Sequence, residues 1–126
     1  MEIYSNNLEK DSLENENFRQ VLFTGKHSQL VVMSLNPNEE IGEEVHEVDQ
    51  FIRIESGKAK FILDGIESSG SDGYAVVIPA GTRHNVINTS SSEKIKLYTV
   101  YSPPEHAPGT IHKTKAEAEA AEHHFS

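Results

Sequence analysis

Four side chains of the kind that bind transition metals stand in two short stretches of the sequence. Glu44, His46 and Gln50 lie in the first stretch, and His84 lies in the second. Side chains alternate along a β-strand, so Glu44 and His46 would point the same way, and Gln50 would begin a returning strand beside them after a turn at Asp49. Two imidazoles and a carboxylate suit a borderline divalent cation, to which Gln50 can add an amide oxygen. The spacing predicts a metal site if the two stretches lie side by side.

Each of these residues also has a simpler interpretation. Glu44 could be a solvated carboxylate like its neighbours Glu43 and Glu47, but strand alternation places it with His46 on the other face. An unpaired carboxylate inside a protein is costly, and a divalent cation removes that cost. For Gln50, a hydrogen-bonded core amide is as reasonable an assignment as a metal ligand.

The two stretches together resemble the signature of the cupin family. The second stretch matches the family's second motif at every fixed position, namely Gly73, Pro79, Gly81, His84 and Asn88. The first stretch keeps the family's spacing, its second histidine as His46 and its glycine as Gly57. It carries Glu44 in place of the first histidine, Gln50 in place of a glutamate and Asn38 in place of a glycine. The resemblance covers roughly residues 30–101.

The resemblance implies an all-β fold, a double-stranded β-helix or jelly-roll barrel, which agrees with the many short strand patterns. We expect a single domain over residues 1–126, with a core at about 18–103 and a C-terminal segment and helix at 104–126. A short N-terminal helix is predicted at Leu8–Asn15, capped by Asn7, with Leu8 and Leu13 facing inward. A capping box at Thr114 and Glu117 predicts the C-terminal helix, a thinly amphipathic one lying on the surface or on a partner subunit.

The strand patterns divide the rest of the chain. Ser68–Gly73 is predicted to be a loop and Ser102–His112 an irregular crossing segment, while Asp64-Gly65 favours a two-residue hairpin turn. The predicted strands are Phe18–Phe23, Leu30–Leu35, Ile41–His46, Gln50–Glu55, Lys58–Asp64, Tyr74–Ile78, His84–Asn88 and Ile95–Tyr101.

Three further residues are candidates for catalysis. Tyr101 closely follows the second motif and could hydrogen-bond a ligand, although a core or rim aromatic is the simpler assignment. His106 and His112 flank a Pro/Gly segment that can pass near the barrel mouth in small cupins, where either could act as general acid or base. Surface histidines are the simpler interpretation of both. Arg53, opposite in face to Gln50, is expected to be structural or to lie at a subunit contact.

Composition restricts the class of partner. The chain has 20 acidic and 11 basic residues and a formal net charge of −9, which opposes binding to nucleic acid or to an anionic membrane surface. No signal peptide or membrane-spanning run is evident, and cysteine is absent, so thiolate metal ligands and disulfides are excluded. We therefore expect a cytoplasmic protein.

The resemblance implies a metal-binding cupin with a small-molecule pocket in the barrel, acting on a sugar or organic acid. The chain is similar to single-domain cupins described as mannose-6-phosphate isomerase-like, although a phosphosugar would require pocket cations, for which Arg83 and Lys94 are the nearby candidates. The alternatives are a metal-dependent dioxygenase and a non-enzymatic small-ligand binding or sensing domain. The metal could be Zn, Mn, Fe or Ni. A homodimer is expected, formed through the Leu30–Leu35 strand and the C-terminal helix.

Overall fold

The computed structural model describes residues 2–124, and the side chains of that range as far as residue 121. Met1 and residues 125–126, which the predicted domain 1–126 includes, lie outside the described residues. The described part of the chain forms two helices and nine strands. They are α1 (Leu8–Glu14), β1 (Arg19–Thr24), β2 (Gln29–Leu35), β3 (Asp49–Ser56), β4 (Ala59–Leu63), β5 (Ile66–Gly70), β6 (Ala75–Ile78), β7 (His84–Asn88), β8 (Ile95–Ser102), β9 (Ile111–His112) and α2 (Lys115–His124).

The strands form two antiparallel sheets. The larger sheet has the order β6-β3-β8-β2-β1-β9, and the smaller has the order β5-β4-β7. This arrangement confirms the predicted all-β jelly roll with a short helix near each end. Neither helix in residues 2–124 combines the length and apolar character that crossing a bilayer would need.

The core lies between the sheets and follows the two-residue period of the strands. In β3, Gln50, Ile52 and Ile54 are buried while the intervening residues are only partly covered. The central strand β2 is buried on both faces from Val31 onward, as its continuous apolar run predicts. Burial of these side chains is the main stabilising contribution to the barrel.

The N-terminal helix forms where its cap predicts. The Asn7 side chain accepts a hydrogen bond from the Lys10 backbone N–H at 3.0 Å, which satisfies one of the free N–H groups of the first turn. The prediction for Leu13 was wrong, because this side chain is 41% exposed. Ser12 is instead the buried residue of α1, and its hydroxyl donates to the Leu8 carbonyl at 2.8 Å.

Two segments predicted to be irregular are strands. β5 extends through Ser68 to Gly70 because each of its residues pairs with β4, and this tertiary pairing outweighs a Ser/Gly composition that is typical of loops. β9 forms within the expected crossing segment, where Ile111 and His112 pair with Gln20 and Arg19 of β1. The Asp64-Gly65 turn joins β4 to β5 with φ of 49° and 82°, as the hairpin prediction requires.

The apolar strand β2 does not offer a free edge. It lies between β1 and β8, so its backbone hydrogen bonds are used within the larger sheet. The expectation that Leu30–Leu35 would supply a dimer edge was therefore wrong. The edges of the larger sheet are β6 and β9.

Candidate metal site

The segment that carries Glu44 and His46 runs beside β7 without being a regular strand. Glu44 and His84 exchange two backbone hydrogen bonds, at 2.8 and 2.9 Å, and the Ile41 N–H donates to the Val86 carbonyl at 2.9 Å. Gly42 lies between these contacts with φ of 107°, a conformation that interrupts a continuous ladder. The predicted strand Ile41–His46 is therefore only a pair of isolated bridges, at Glu40 and Glu44.

The alternation predicted for this segment nevertheless holds. Glu43 and Glu47 are exposed, whereas Glu44 and His46 are partly buried on the inner face. His84 is buried at the start of β7, after the Gly81 turn whose N–H donates to the His46 carbonyl at 2.8 Å. The structure thus places both stretches side by side.

Glu44, His46 and His84 converge on one point. One ligand atom from each lies within 4.8 Å of the other two. The two imidazole rings have their centroids 5.2 Å apart, and Nε2 of His46 lies 3.7 Å from Oε1 of Glu44. These three residues, hereafter the triad, could hold a divalent metal ion.

The other nitrogen of each imidazole is held by an oxygen. Nδ1 of His84 lies 2.9 Å from the Thr82 carbonyl, and Nδ1 of His46 lies 3.2 Å from Oε1 of Glu105. Because a carbonyl accepts, Nδ1 of His84 carries the proton and its Nε2 is left with a lone pair. The carboxylate of Glu105 beside Nδ1 of His46 favours the same tautomer there. Both Nε2 atoms are buried and have no hydrogen-bond partner among the described residues. Metal-ligating histidines are arranged in this way, with one ring nitrogen held by an oxygen and the other directed at the ion. The two histidines are therefore suited to bind a divalent metal.

Gln50 lies at the inner start of β3. Its Nε2 donates to the Thr99 hydroxyl at 3.1 Å, which fixes the amide orientation. Its Oε1 is buried and has no hydrogen-bond partner within residues 2–124. Gln50 therefore shows both features that the sequence left open, a core amide hydrogen bond and an available oxygen.

In the metal-free protein, the Glu44 carboxylate and the His46 imidazole stabilise each other's charged forms. Burial raises the pKa of Glu44, but the close approach of the His46 ring, at 3.7 Å, and the nearby charges of His46 and Arg19 outweigh burial, so the pKa lies below its ordinary value. The Glu44 carboxylate in turn raises the pKa of His46. The carboxylate needed for metal binding is thus stabilised in its ionised form.

Comparison with known protein families agrees with the jelly-roll fold. Residues 31–101, more than half of the chain, match the family model described as a cupin domain.

The chain belongs to the cupin family.

Several proteins resemble this cupin over most of its length. A crystal structure of the Bacillus halodurans protein BH2720 superimposes with a TM-score of 0.90, at 41% identity, and the match covers 93% of each chain. The Bacillus subtilis protein YrkC, described as uncharacterized, is 48% identical over 124 residues, which are 92% of this chain and 66% of YrkC. The chain therefore spans slightly less than two thirds of that relative. An uncharacterized mimivirus protein, L612 of Acanthamoeba polyphaga mimivirus, is 43% identical over 114 residues, 87% of this chain and 71% of L612.

Tyr101 and His106 lie next to the triad. The Tyr101 ring packs edge-on against His46, with centroids 5.8 Å apart, and burial raises its pKa. Nε2 of His106 lies 3.4 Å from the Tyr101 hydroxyl. Burial lowers the pKa of His106 to about 3, so this imidazole is neutral and weakly basic at neutral pH. The geometry of His106 favours a role in positioning the Tyr101 hydroxyl rather than a role in proton transfer.

His112 lies further out, on β9. Its Nδ1 is 3.4 Å from NH1 of Arg19, so it contacts β1 rather than the triad.

Two residues that sequence reasoning missed approach the triad. Glu105 binds His46, and it is brought there because the buried Gln29 side chain accepts from the N–H groups of Glu105 and His106 at 3.2 and 2.9 Å. Arg19 is buried in β1. It stands two residues before the apolar Val21, so strand alternation could have indicated that its side chain points inward. Neither position belongs to the two stretches that resemble the family signature.

The cations proposed for a phosphosugar lie elsewhere. Arg83 and Lys94 are exposed and pair with Glu43 and Glu16, at 3.7 and 2.5 Å. They do not line the cavity beside Glu44, so neither of these two candidates supplies positive charge there. Arg53 pairs with Glu55 on the outer face of β3, in agreement with a structural role.

Proposed function

We propose that this cupin binds a divalent transition metal on Glu44, His46 and His84, with Gln50 as an additional oxygen donor, and uses it to act on a small polar molecule such as an organic acid or a sugar. The observation that carries the proposal is the pair of buried Nε2 atoms that lack a hydrogen-bond partner within residues 2–124 and stand beside Glu44. Buried polar atoms are normally satisfied, so this pair calls for a ligand. Two histidines and one carboxylate suit Zn, Mn, Fe or Ni.

When bound, the metal would supply Lewis-acid polarisation of a substrate oxygen, which is the chemistry of an isomerase-like reaction. The chain's own residues would orient the site and exclude water. Glu105 and the Thr82 carbonyl fix the two imidazoles, and Tyr101 covers His46. The Tyr101 hydroxyl, held near His106, is the neutral donor available to a bound ligand.

Metal binding by the purified chain, prepared without a histidine tag, tests this proposal. Isothermal titration and thermal shift with Mn²⁺, Ni²⁺ and Zn²⁺, and with Fe²⁺ under anaerobic conditions, should show one site per chain and a raised Tm. His84→Gln should lose the site, whereas His27→Gln, at an exposed position, should keep it. A wild-type protein whose Tm ignores every one of these ions would contradict the proposal.

A metal-dependent dioxygenase is the second candidate. Two histidines with one carboxylate and open positions form the ligand set of many non-haem Fe(II) oxygenases. Oxygen uptake by the Fe(II)-loaded protein with catechol-like and thiol compounds would favour this function. Stabilisation by sugars or organic acids with no turnover would instead favour a binding or sensing domain.

We also propose that the chain forms a homodimer through an edge of the larger sheet. The edge strands β6 and β9 leave Val77 69% and Ile111 52% exposed, and an open apolar edge tends to associate. Light scattering at micromolar concentration tests this proposal, and a monomer under those conditions would refute it.

A further inference from the structure

Arg19 is a buried cation that forms no close ion pair with any carboxylate in the described part of the chain. It is 3% exposed, and its Nε lacks a hydrogen-bond partner within residues 2–124. Its NH1 lies 3.4 Å from Nδ1 of His112, and its guanidinium lies 5.3 Å from the centre of the Phe18 ring. None of the ion pairs found within 4.0 Å in the described part of the chain includes it. A buried charge is retained at considerable cost unless something neutralises it.

Arg19 and Glu44 line the same cavity. This cavity, hereafter the Arg19 cavity, has a volume of about 380 Å³ and lies between β1, the segment before the triad and α2. Its lining residues are Phe18, Arg19, Ile41, Gly42, Glu43, Glu44, Lys115, Ala118 and Glu119. The volume falls within the range of small-molecule sites, and Glu44 connects the cavity to the triad.

The other charges around the cavity are already balanced. Glu43 pairs with Arg83 at 3.7 Å, and Lys115 pairs with Glu119 at 3.8 Å. Within the described residues, Arg19 is therefore the cation of this lining that has no carboxylate within 4.0 Å, although it interacts at longer range with Glu44. Its buried guanidinium beside an open cavity favours the binding of an anion there.

We propose that Arg19 binds the carboxylate of a small organic acid in the Arg19 cavity, with the rest of that molecule directed toward the triad. The inference deepens the proposed function and rests on it, because it narrows the substrate from a polar molecule to a carboxylic acid. The planar guanidinium presents paired N–H donors that match the two oxygens of a carboxylate.

The net charge of the metal-loaded site favours a monoanionic ligand over a phosphate dianion. Glu44 and Glu105 bring two negative charges to the site, and Arg19 with a divalent metal brings three positive ones. One net positive charge remains, which a single carboxylate neutralises. A phosphate dianion would exceed it and would lie close to both glutamates.

The test measures metal and acid binding separately on the full chain. Zn²⁺ is titrated alone into wild type, Arg19→Met, Arg19→Lys and the control Lys26→Met, at an exposed position outside the cavity lining. Each metal-loaded protein is then titrated with lactate, pyruvate and glycolate, with the neutral isostere lactamide, and with inorganic phosphate.

We expect wild type and Lys26→Met to bind at least one of the three acids and to bind lactamide at least about tenfold more weakly than lactate. Arg19→Met should lose at least about tenfold in acid affinity, and Arg19→Lys should recover part of it. Zn²⁺ affinity should be unchanged or higher in Arg19→Met, because the substitution removes a cation near Glu44. Retained metal binding also shows that the Arg19→Met variant is folded. If Arg19 only held β9 in place, its substitution would not cause a selective loss of acid binding with metal binding retained.

Three results would overturn the inference while leaving the metal proposal intact. They are equal acid binding by wild type and Arg19→Met, preference for phosphate over all three acids, and no acid binding by a wild-type protein that binds Zn²⁺. If wild type binds no metal, the proposed function fails, and acid titration of the metal-free wild type and Arg19→Met still decides the role of Arg19.

Discussion

Oε1 of Glu105 lies 3.2 Å from Nδ1 of His46, although the two residues are far apart in the sequence. A carboxylate in this place fixes the imidazole tautomer and increases the basicity of Nε2, the atom that faces Glu44. Gln29 holds the backbone of the Glu105 segment, so the contact depends on a buried side chain of β2 rather than on a free loop.

Replacing Glu105 should therefore weaken metal binding without removing a ligand. Glu105→Gln keeps the shape of the side chain but loses its charge, and we expect metal affinity to fall by about tenfold or more, as for other carboxylates that support ligating histidines. Isothermal titration with Zn²⁺ measures the change. Glu47→Gln, an exposed control beside His46, should bind as wild type does. Equal affinity in the Glu105 and Glu47 variants would mean that the contact does not support the metal.

The free Oε1 of Gln50 predicts a smaller direct contribution. Gln50→Leu should lower metal affinity by about tenfold, a loss comparable to one hydrogen bond to a charged group. Thermal shift with and without Zn²⁺ separates this effect from a change in the core. If Gln50→Leu lowers the Tm equally with and without metal and leaves the affinity unchanged, Gln50 is a core amide whose Nε2 holds Thr99.

His106 should make stability depend on pH below neutrality. Its pKa of about 3 in the folded chain lies below the ordinary value of 6.5, so below about pH 6.5 the unfolded chain takes up a proton that the folded chain does not. The free energy of unfolding should consequently fall as the pH falls, by about 1 kcal/mol between pH 7.5 and pH 5.5 from this residue alone. Urea unfolding of metal-free wild type and His106→Gln at both pH values isolates the contribution. A difference between the two proteins that stays constant with pH would contradict it.

Gly57 occupies a position that excludes any side chain. Its φ is +108°, and a Cβ built there would lie 2.7 Å from the Lys94 carbonyl oxygen. Gly57→Ala should destabilise the fold by about 2 kcal/mol or more, the sum of backbone strain and this overlap. Gly65→Ala, with φ of +82° and no neighbour within 4 Å, carries the strain alone and should lose less. Equal losses in urea unfolding would show that the close approach to β8 is tolerated.

The sequence predicted the parts of the site that depend on local patterns. Alternation correctly placed Glu44 with His46, and the Gly81 turn correctly delivered His84 to the start of β7. The family resemblance correctly predicted the jelly roll. The ligand assignments themselves, and the roles of Tyr101 and His112, stay predictions.

The missed features depend on contacts between distant parts of the chain. β9 is two residues long and exists because His112 pairs with Arg19, which no local pattern shows. The position of Glu105 depends on Gln29, whose polar side chain gives no sign of burial in an otherwise apolar strand. Arg19 was overlooked because a single arginine within a loosely alternating strand resembles a surface residue.

The family-matched span, residues 31–101, contains every member of the triad but excludes Arg19, Glu105, His106 and α2. The residues that we propose to bind the metal and the arginine that we propose to bind the acid consequently lie in different parts of the polypeptide. Exchanging the two flanking segments between relatives, while keeping the central span, offers a route to chimaeras that hold the same ion and prefer different acids.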